Sequence, residues 1–316
     1  MQRRLFVGAL GGLAGLAGAG RLLGAEASYG AVIPGAEAWS ESLMLLHFDA
    51  ALSNGISVRV SRYPDQNVTW VWCHVLFEGQ LYSFTERRLP CTTARNTAEV
   101  TIGRYDSAGA GVSFSRNGLV EMLETIQLSL QTRCHAGGSD RDGPGEVPVV
   151  IEATFLPASI KDNLPAGRSE WTGVADIQIS VAGQRQQLTG IAKAHEQIQT
   201  APRFNAPFTY AMTWSKTASF IATASPARRY GNLEIAGIDR AVSRFEPGEP
   251  GVVRPFRVIL EDGEILTGAA TRVAHYNVPV FDRLWNGNIV RVELGSHRLI
   301  GMMNDWRPED NSFEFA

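Results

Sequence analysis

Residues 194–210, with Trp214 just beyond, crowd His195, Glu196, Gln197, Arg203, Phe204, Asn205, Phe208 and Tyr210 into one short stretch stiffened by Pro202 and Pro207. A carboxylic acid, an imidazole and a phenol so close together are the parts of an acid–base site. If residues 192–197 are extended, alternation sets Lys193, His195 and Gln197 on one face and Ala194 and Glu196 on the other. Beside a small alanine, Glu196 then points into an apolar interior. Desolvation there raises its pKa and keeps it protonated at neutral pH, as acid chemistry on a weakly nucleophilic alkene requires. The same spacing fits a Glu196 that pairs with Arg203 or Lys193 and merely closes a barrel, and spacing alone leaves both readings open.

A second cluster begins with Trp39, Glu41, His47 and Asp49 and continues at Trp70, Trp72 and His74. On an extended segment Trp70, Trp72 and His74 share a face. Turned inward, that stripe lines a ligand cavity with flat π surfaces able to hold an apolar chain or a developing cation. Two core tryptophans and one satisfied histidine explain the same residues. A third set, Arg272, His275, Tyr276, Trp285 and Asp305-Trp306-Arg307, is read as a cavity rim with a mainly structural part.

Common catalytic devices are missing. His195-Glu196 is not a zinc motif, because HExxH needs a second histidine where Gln199 stands. There is no GxSxG elbow, Walker loop or GxGxxG following a strand. No metal and no organic cofactor is expected.

The elements that must carry these residues are strands. Past residue 40, short β-branched and aromatic runs alternate with turn residues every 8 to 15 positions: 56–61 after Ser53-Asn54-Gly55, 69–77, 98–105, 149–156, 175–181 and 257–260. This is the pattern of antiparallel sheets closed into sandwiches or barrels, and the lack of a βαβ rhythm argues against a Rossmann-type sheet. One stretch, 118–130, has apolar spacing near 3.6 but also fits a strand pair. The polar gaps 135–146 and 157–168 are read as surface loops, and a break between two β halves is placed at 183–192, after Gly183.

Residues 1–27 read as a removable export signal: Arg3 and Arg4, an apolar run from 5 to 20 interrupted by glycines, then Ala25-Glu26-Ala27. The run is too short for a bilayer span, for which roughly 20 apolar residues are needed, so no stable membrane anchor is expected. Adjacent arginines resemble a twin-arginine signal, implying a periplasmic or extracellular protein. Residues 28–188 and 189–316 are the two expected β domains. A net charge of −3 with 19% charged residues gives no field to attract nucleic acid. Cys73, Cys91 and Cys134 permit at most one internal disulfide, and buried thiols explain them as well.

Residues 195–210, through His195-Glu196-Gln197, Pro202-Arg203-Phe204 and Pro207-Phe208-Thr209-Tyr210, resemble the motif region of the carotenoid 1,2-hydratase and kievitone hydratase group, with Trp39-Ser40-Glu41 as a weaker echo. The resemblance implies an all-β chain of two lipocalin-like units side by side. It also implies a cofactor-independent hydratase, dehydratase or isomerase acting on an isoprenoid-like or other apolar substrate. Carried over, Glu196 is the neutral acid, Trp72, Trp214 or Tyr210 faces a tertiary cation, and Asp49 or His195 positions water. Glu41, Trp70, His74, Arg203, Phe204 and Phe208 are expected around the substrate. The alternative is a non-catalytic exported lipid or terpenoid carrier; a third reading is a cyclisation catalyst that works by holding its substrate. Catalyst and carrier are told apart by where Glu196, Asp49 and Glu41 point.

Overall fold

The computed structural model describes residues 38–307, apart from 93, 139, 140, 165, 166, 202, 203, 205, 227, 228 and 282 and the side chains of 162, 163 and 229. The expected export signal and Arg203 lie outside the described residues. Apart from two single 3₁₀ turns, the regular structure described is all strand, in two units.

The first unit contains β1 (Ser40–Phe48), β2 (Gly55–Tyr63), β3 (Val68–Phe77), β4 (Gln80–Leu89), β5 (Ile102–Arg104), β6 (Val112–Gly118), β7 (Leu123–Ala136), β8 (Val147–Leu164), β9 (Arg168–Val181) and β10 (Gln184–Gln199). Its sheet runs β4-β3-β2-β1-β10-β9-β8-β7-β6-β5, and a short β4–β7 pairing curls it into a ring with β5 and β6 as an added hairpin. The second unit is a closed barrel of β11 (Phe208–Trp214), β12 (Ala218–Ala224), β13 (Arg229–Ile235), β14 (Ile238–Pro247), β15 (Val253–Leu260), β16 (Ile265–Val280), β17 (Arg283–Leu294) and β18 (His297–Trp306). Two antiparallel β units are thus present, as expected.

Strand burial explains where the units meet. β9 alternates buried and exposed positions along most of its length, as a strand with one solvated face should. β1 and β3 are buried at every position. In β3, Val71, Cys73 and Val75 enter the first unit's own core, while Val68, Trp70, Trp72 and Leu76 belong to a separate cluster shared with Tyr210, Met212, Trp214, Tyr276, Trp285 and Trp306 of the second unit. A strand covered on both sides needs apolar residues at odd and even positions alike. Burying a large apolar side chain is worth roughly 1.5–3 kcal/mol, so this shared cluster favours contact between the units.

Several expectations change. The turn at Ala182 and Gly183, both with positive φ, joins β9 to β10 within the first unit. The chain passes to the barrel only between Gln199 and Phe208, because a tight hairpin turn and a break between units carry the same turn residues. Residues 157–164 are strand rather than loop. β8 continues to Leu164, with register shifts at Pro157/Ser159 and Lys161/Leu164 that accommodate the proline. Residues 118–130 run from the end of β6 through the turn into β7, and the 98–105 strand shrinks to β5. Cys73, Cys91 and Cys134 are buried free thiols.

Candidate active site

A single transverse row of directly paired residues crosses the first unit: Trp72 on β3, Arg59 on β2, Met44 on β1, His195 on β10, Glu170 on β9 and Lys161 on β8. Opposite residues of an antiparallel ladder point to the same face, so this row faces the second unit. A matching row there runs Asn304, Tyr210, Thr223, Tyr230 across β18, β11, β12 and β13. The ladders that join the first and last strands of each unit have corresponding registers, Met44↔His195 and Tyr210↔Asn304 each following Leu43↔Glu196 and Thr209↔Asp305. The cleft between the units is thus built from equivalent positions of both.

Between the rows lies a cavity of about 20 Å³ lined by Met44, Ser57, Arg59, Trp72, His74, His195, Tyr210, Tyr276, Trp285, Met302 and Asn304. This is room for about one water, so a larger ligand enters only as side chains move. One end is aromatic. Phe204 packs on Trp70, Phe281, Trp285 and Trp306 at centroid distances of 5.5–6.2 Å, and Phe208 meets Trp285 at 5.2 Å. Trp306 Nε1 donates to the Phe204 carbonyl at 3.0 Å.

Behind Tyr210 stands the carboxyl of Glu170. It is buried, and desolvation raises its pKa against the opposing pull of Arg168, Tyr230, Lys193 and Tyr210. Tyr210 donates to its Oε1 at 3.3 Å, Tyr230 donates to its Oε2 at 3.1 Å, and an Arg168 nitrogen lies 3.6 Å from Oε1. Burial first, and then Glu170, hold the Tyr210 hydroxyl well above the usual phenol range, so it stays a proton-bearing donor. Behind Glu170 a small polar pocket holds Lys193, pushed down to about 8 by burial, with its Nζ donating to Thr172 and Ser219 hydroxyls.

His74 stacks on Tyr276 at 3.7 Å and meets Ser83 Oγ through Nδ1 at 3.1 Å. The stack depends on Gly287, where an added Cβ would lie 2.0 Å from the Tyr276 ring. Gly287→Ala is expected to displace Tyr276 and cost about 1–3 kcal/mol by overpacking, seen as a lowered melting temperature. Full burial pushes His74 down to about 3 from 6.5. A depressed histidine stabilises the fold above pH 6.5 and loses that contribution as pH falls toward 3. The loss of stability between pH 7 and pH 4, measured by denaturant titration, is therefore expected to be about 3 kcal/mol smaller in His74→Phe than in the parent.

The other expected residues go elsewhere. Alternation about residues 192–197 is as anticipated, but the interior that receives Glu196 is that of the first unit, away from the cavity between the units. There Glu196 Oε1 accepts from Tyr105 at 2.5 Å and Arg116 Nε at 3.0 Å. Its ion partner is Arg116, a residue not considered as such, and burial raises its pKa. Glu41 lies in the same unit's interior, bound by Trp39, Arg62 and Asn96. Asp49 accepts from Ser53, Asn54 and the Asn54 side chain and so caps the β1–β2 turn. It positions no water in the cleft. Trp70, Trp72 and His74 do share one face, and it is the seam between units rather than a barrel lumen. Trp214 packs on Phe48 at 6.2 Å in that seam.

Of the third set, Tyr276 and Trp285 stand in the cleft wall itself, while Asp305 is buried in an ion pair with Arg254 inside the second barrel. Among the described residues no group of three or more His, Cys, Asp or Glu could hold a metal ion, and no helix is long and apolar enough to cross a membrane.

No family model matches the chain, and no curated protein matches its sequence. Solved structures do match. CghA with Sch210972 aligns at a TM-score of 0.59 and 10% identity over 89% of this chain and 96% of CghA. Kievitone hydratase from Nectria haematococca aligns more loosely, at a TM-score of 0.46 and 9% identity over 87% of this chain and 89% of its own. At these identities the likeness is one of fold. Over most of its length the chain is similar in fold to CghA, and it has the two-unit β architecture that its resemblance to the carotenoid 1,2-hydratase and kievitone hydratase group implies.

Proposed function

We propose that the chain is a cofactor-independent lyase or isomerase that moves a proton to or from carbon in an apolar alkene or alcohol held between the two β units. The observation that carries this reading is the Glu170–Tyr210 pair, a buried carboxyl of raised pKa bonded to a phenol that lines the cleft. As carbon takes the Tyr210 proton, the Glu170 carboxyl proton refills the phenol oxygen. In the reverse direction the Glu170 carboxylate draws the proton back. His195, paired across the ladder with Glu170 and edge-on to Tyr210 at 6.2 Å, is placed to orient water or a leaving hydroxyl. The aromatic walls exclude bulk water and receive the apolar body.

Glu196, Asp49 and Glu41 all lie outside the cleft, which is the arrangement that favours a carrier. Glu170, bonded to the cleft residue Tyr210, offers an acid that those three do not, and this supports the catalytic reading. Export directed by residues 1–27 is part of the reading, since an apolar substrate outside the cytoplasm suits such a cleft. The test is turnover of terpenoid alkenes and alcohols, with and without a conjugated carbonyl, in H₂¹⁸O. The parent is expected to exchange or add labelled oxygen, with Tyr210→Phe slower by about 10²-fold or more. Equal rates in the two proteins contradict the assignment.

A further inference from the structure

The cleft has buried polar atoms without partners. Trp72 Nε1, which can only donate, and His74 Nε2 are buried and have no hydrogen-bond partner among the described residues. A buried polar atom left unmatched is costly, so each calls for an explanation. Both side chains line the cavity, together with Arg59 and the Tyr210 and Tyr276 rings. Arg59 is steered there by its bonds to Ser42 Oγ at 3.0 Å and Ser61 Oγ at 3.2 Å.

The aromatic rings bear on the same point. Shielding a carbocation requires a free π face, yet the Trp72 ring already has the Arg59 guanidinium 5.5 Å from its centroid. Tyr210 has that of Arg168 at 4.8 Å. Two fixed positive charges beside the cleft repel a cation and stabilise an oxyanion.

We propose that the substrate of this cleft is an apolar molecule bearing a carbonyl conjugated to its double bond, and that the reaction passes through an oxyanion on that carbonyl. The inference rests on the cleft's being the active site. For hydration, water forms a C–O bond at the β carbon and the π electrons move to the carbonyl oxygen, facing Trp72 Nε1 and Arg59. The α carbon then takes the Tyr210 proton, which Glu170 replaces, and the proton released by the added water returns to the Glu170 carboxylate. One water is consumed and no other reactant is needed. Dehydration is the same sequence reversed. The tertiary cation expected from the sequence is replaced by an enolate.

The experiment uses three fluorescent probes with the full mature chain: cis-parinaric acid (a carboxylate), curcumin (an enolised 1,3-diketone) and parinaryl alcohol (a polyene without a carbonyl). Curcumin is expected to bind about 10- to 100-fold more tightly than the alcohol. Arg59→Met and Trp72→Phe are each expected to shrink that ratio by about tenfold. Because the preference is a ratio within each variant, partial misfolding does not mimic it. A preference for the acid without one for curcumin assigns a carboxylate head and overturns the enolate. Equal binding of all three, unmoved by Arg59→Met, overturns the inference and leaves the cleft as a binding site. Failure of all three to bind overturns the cleft itself.

Discussion

Glu170→Gln is expected to lower turnover by about 10²- to 10⁴-fold per folded molecule, the usual worth of a positioned acid or base. Burial holds Glu170 toward its neutral form, and glutamine is a neutral group of the same shape that keeps a carbonyl acceptor for one of Tyr210 and Tyr230. The pH dependence has a defined sign. A donor acid works while protonated, so kcat/KM in the direction that needs the acid is high below the raised pKa of Glu170 and falls as pH rises through it. That limb is absent in Glu170→Gln. The raised carboxyl also stabilises the fold below its unfolded value, and that contribution is lost as pH rises through the folded one. Rate and stability profiles of parent and variant, measured side by side, check both statements.

Glu196→Gln is expected to behave in the opposite way. Arg116 is fully buried, and besides Glu196 its guanidinium meets only the carbonyls of Thr97, Val100 and Gly118 among the partners described. Removing the carboxylate strands a buried positive charge, at a cost of about 3–5 kcal/mol. For a chain of this size that is a fall of roughly 10 °C in melting temperature. Turnover per folded molecule is expected to hold. Replacing the pair together, with Arg116→Met and Glu196→Leu, is expected to recover most of the stability, because no lone charge remains. Calorimetry of the single and double variants reads this directly.

Much of the geometry is legible in the residues themselves. The fold class follows from the turn spacing, and strand alternation assigns the faces of His195, Glu196, Trp70, Trp72 and His74 correctly. Which face meets a ligand does not follow, because alternation separates two sides of a strand without saying what lies beyond either. Glu196, next to a small alanine, does point into the interior of the first unit, where it joins a buried polar cluster with Tyr105, Arg116 and Glu41. The cavity between the units, where we propose the chemistry lies, is on the His195 side. Glu170 escapes notice for another reason. It becomes a neighbour of His195 through the β9–β10 register, and of Tyr210 only when the two units close, and neither long-range contact leaves a local mark. Arg59 and Asn304 are hidden in the same way. The misplaced boundary at 183–192 arises because Ala182-Gly183 makes a tight turn whose residues look alike inside a sheet and between domains.

The most direct measurement is the turnover of a conjugated terpenoid substrate by Glu170→Gln and Glu196→Gln at equal concentrations of folded protein. If the chemistry lies between the two units, Glu170→Gln is slower than the parent by at least about 10²-fold and Glu196→Gln stays close to it. A Glu196→Gln protein that is folded but inactive, beside an active Glu170→Gln, contradicts that placement and returns the acid to the first unit's core.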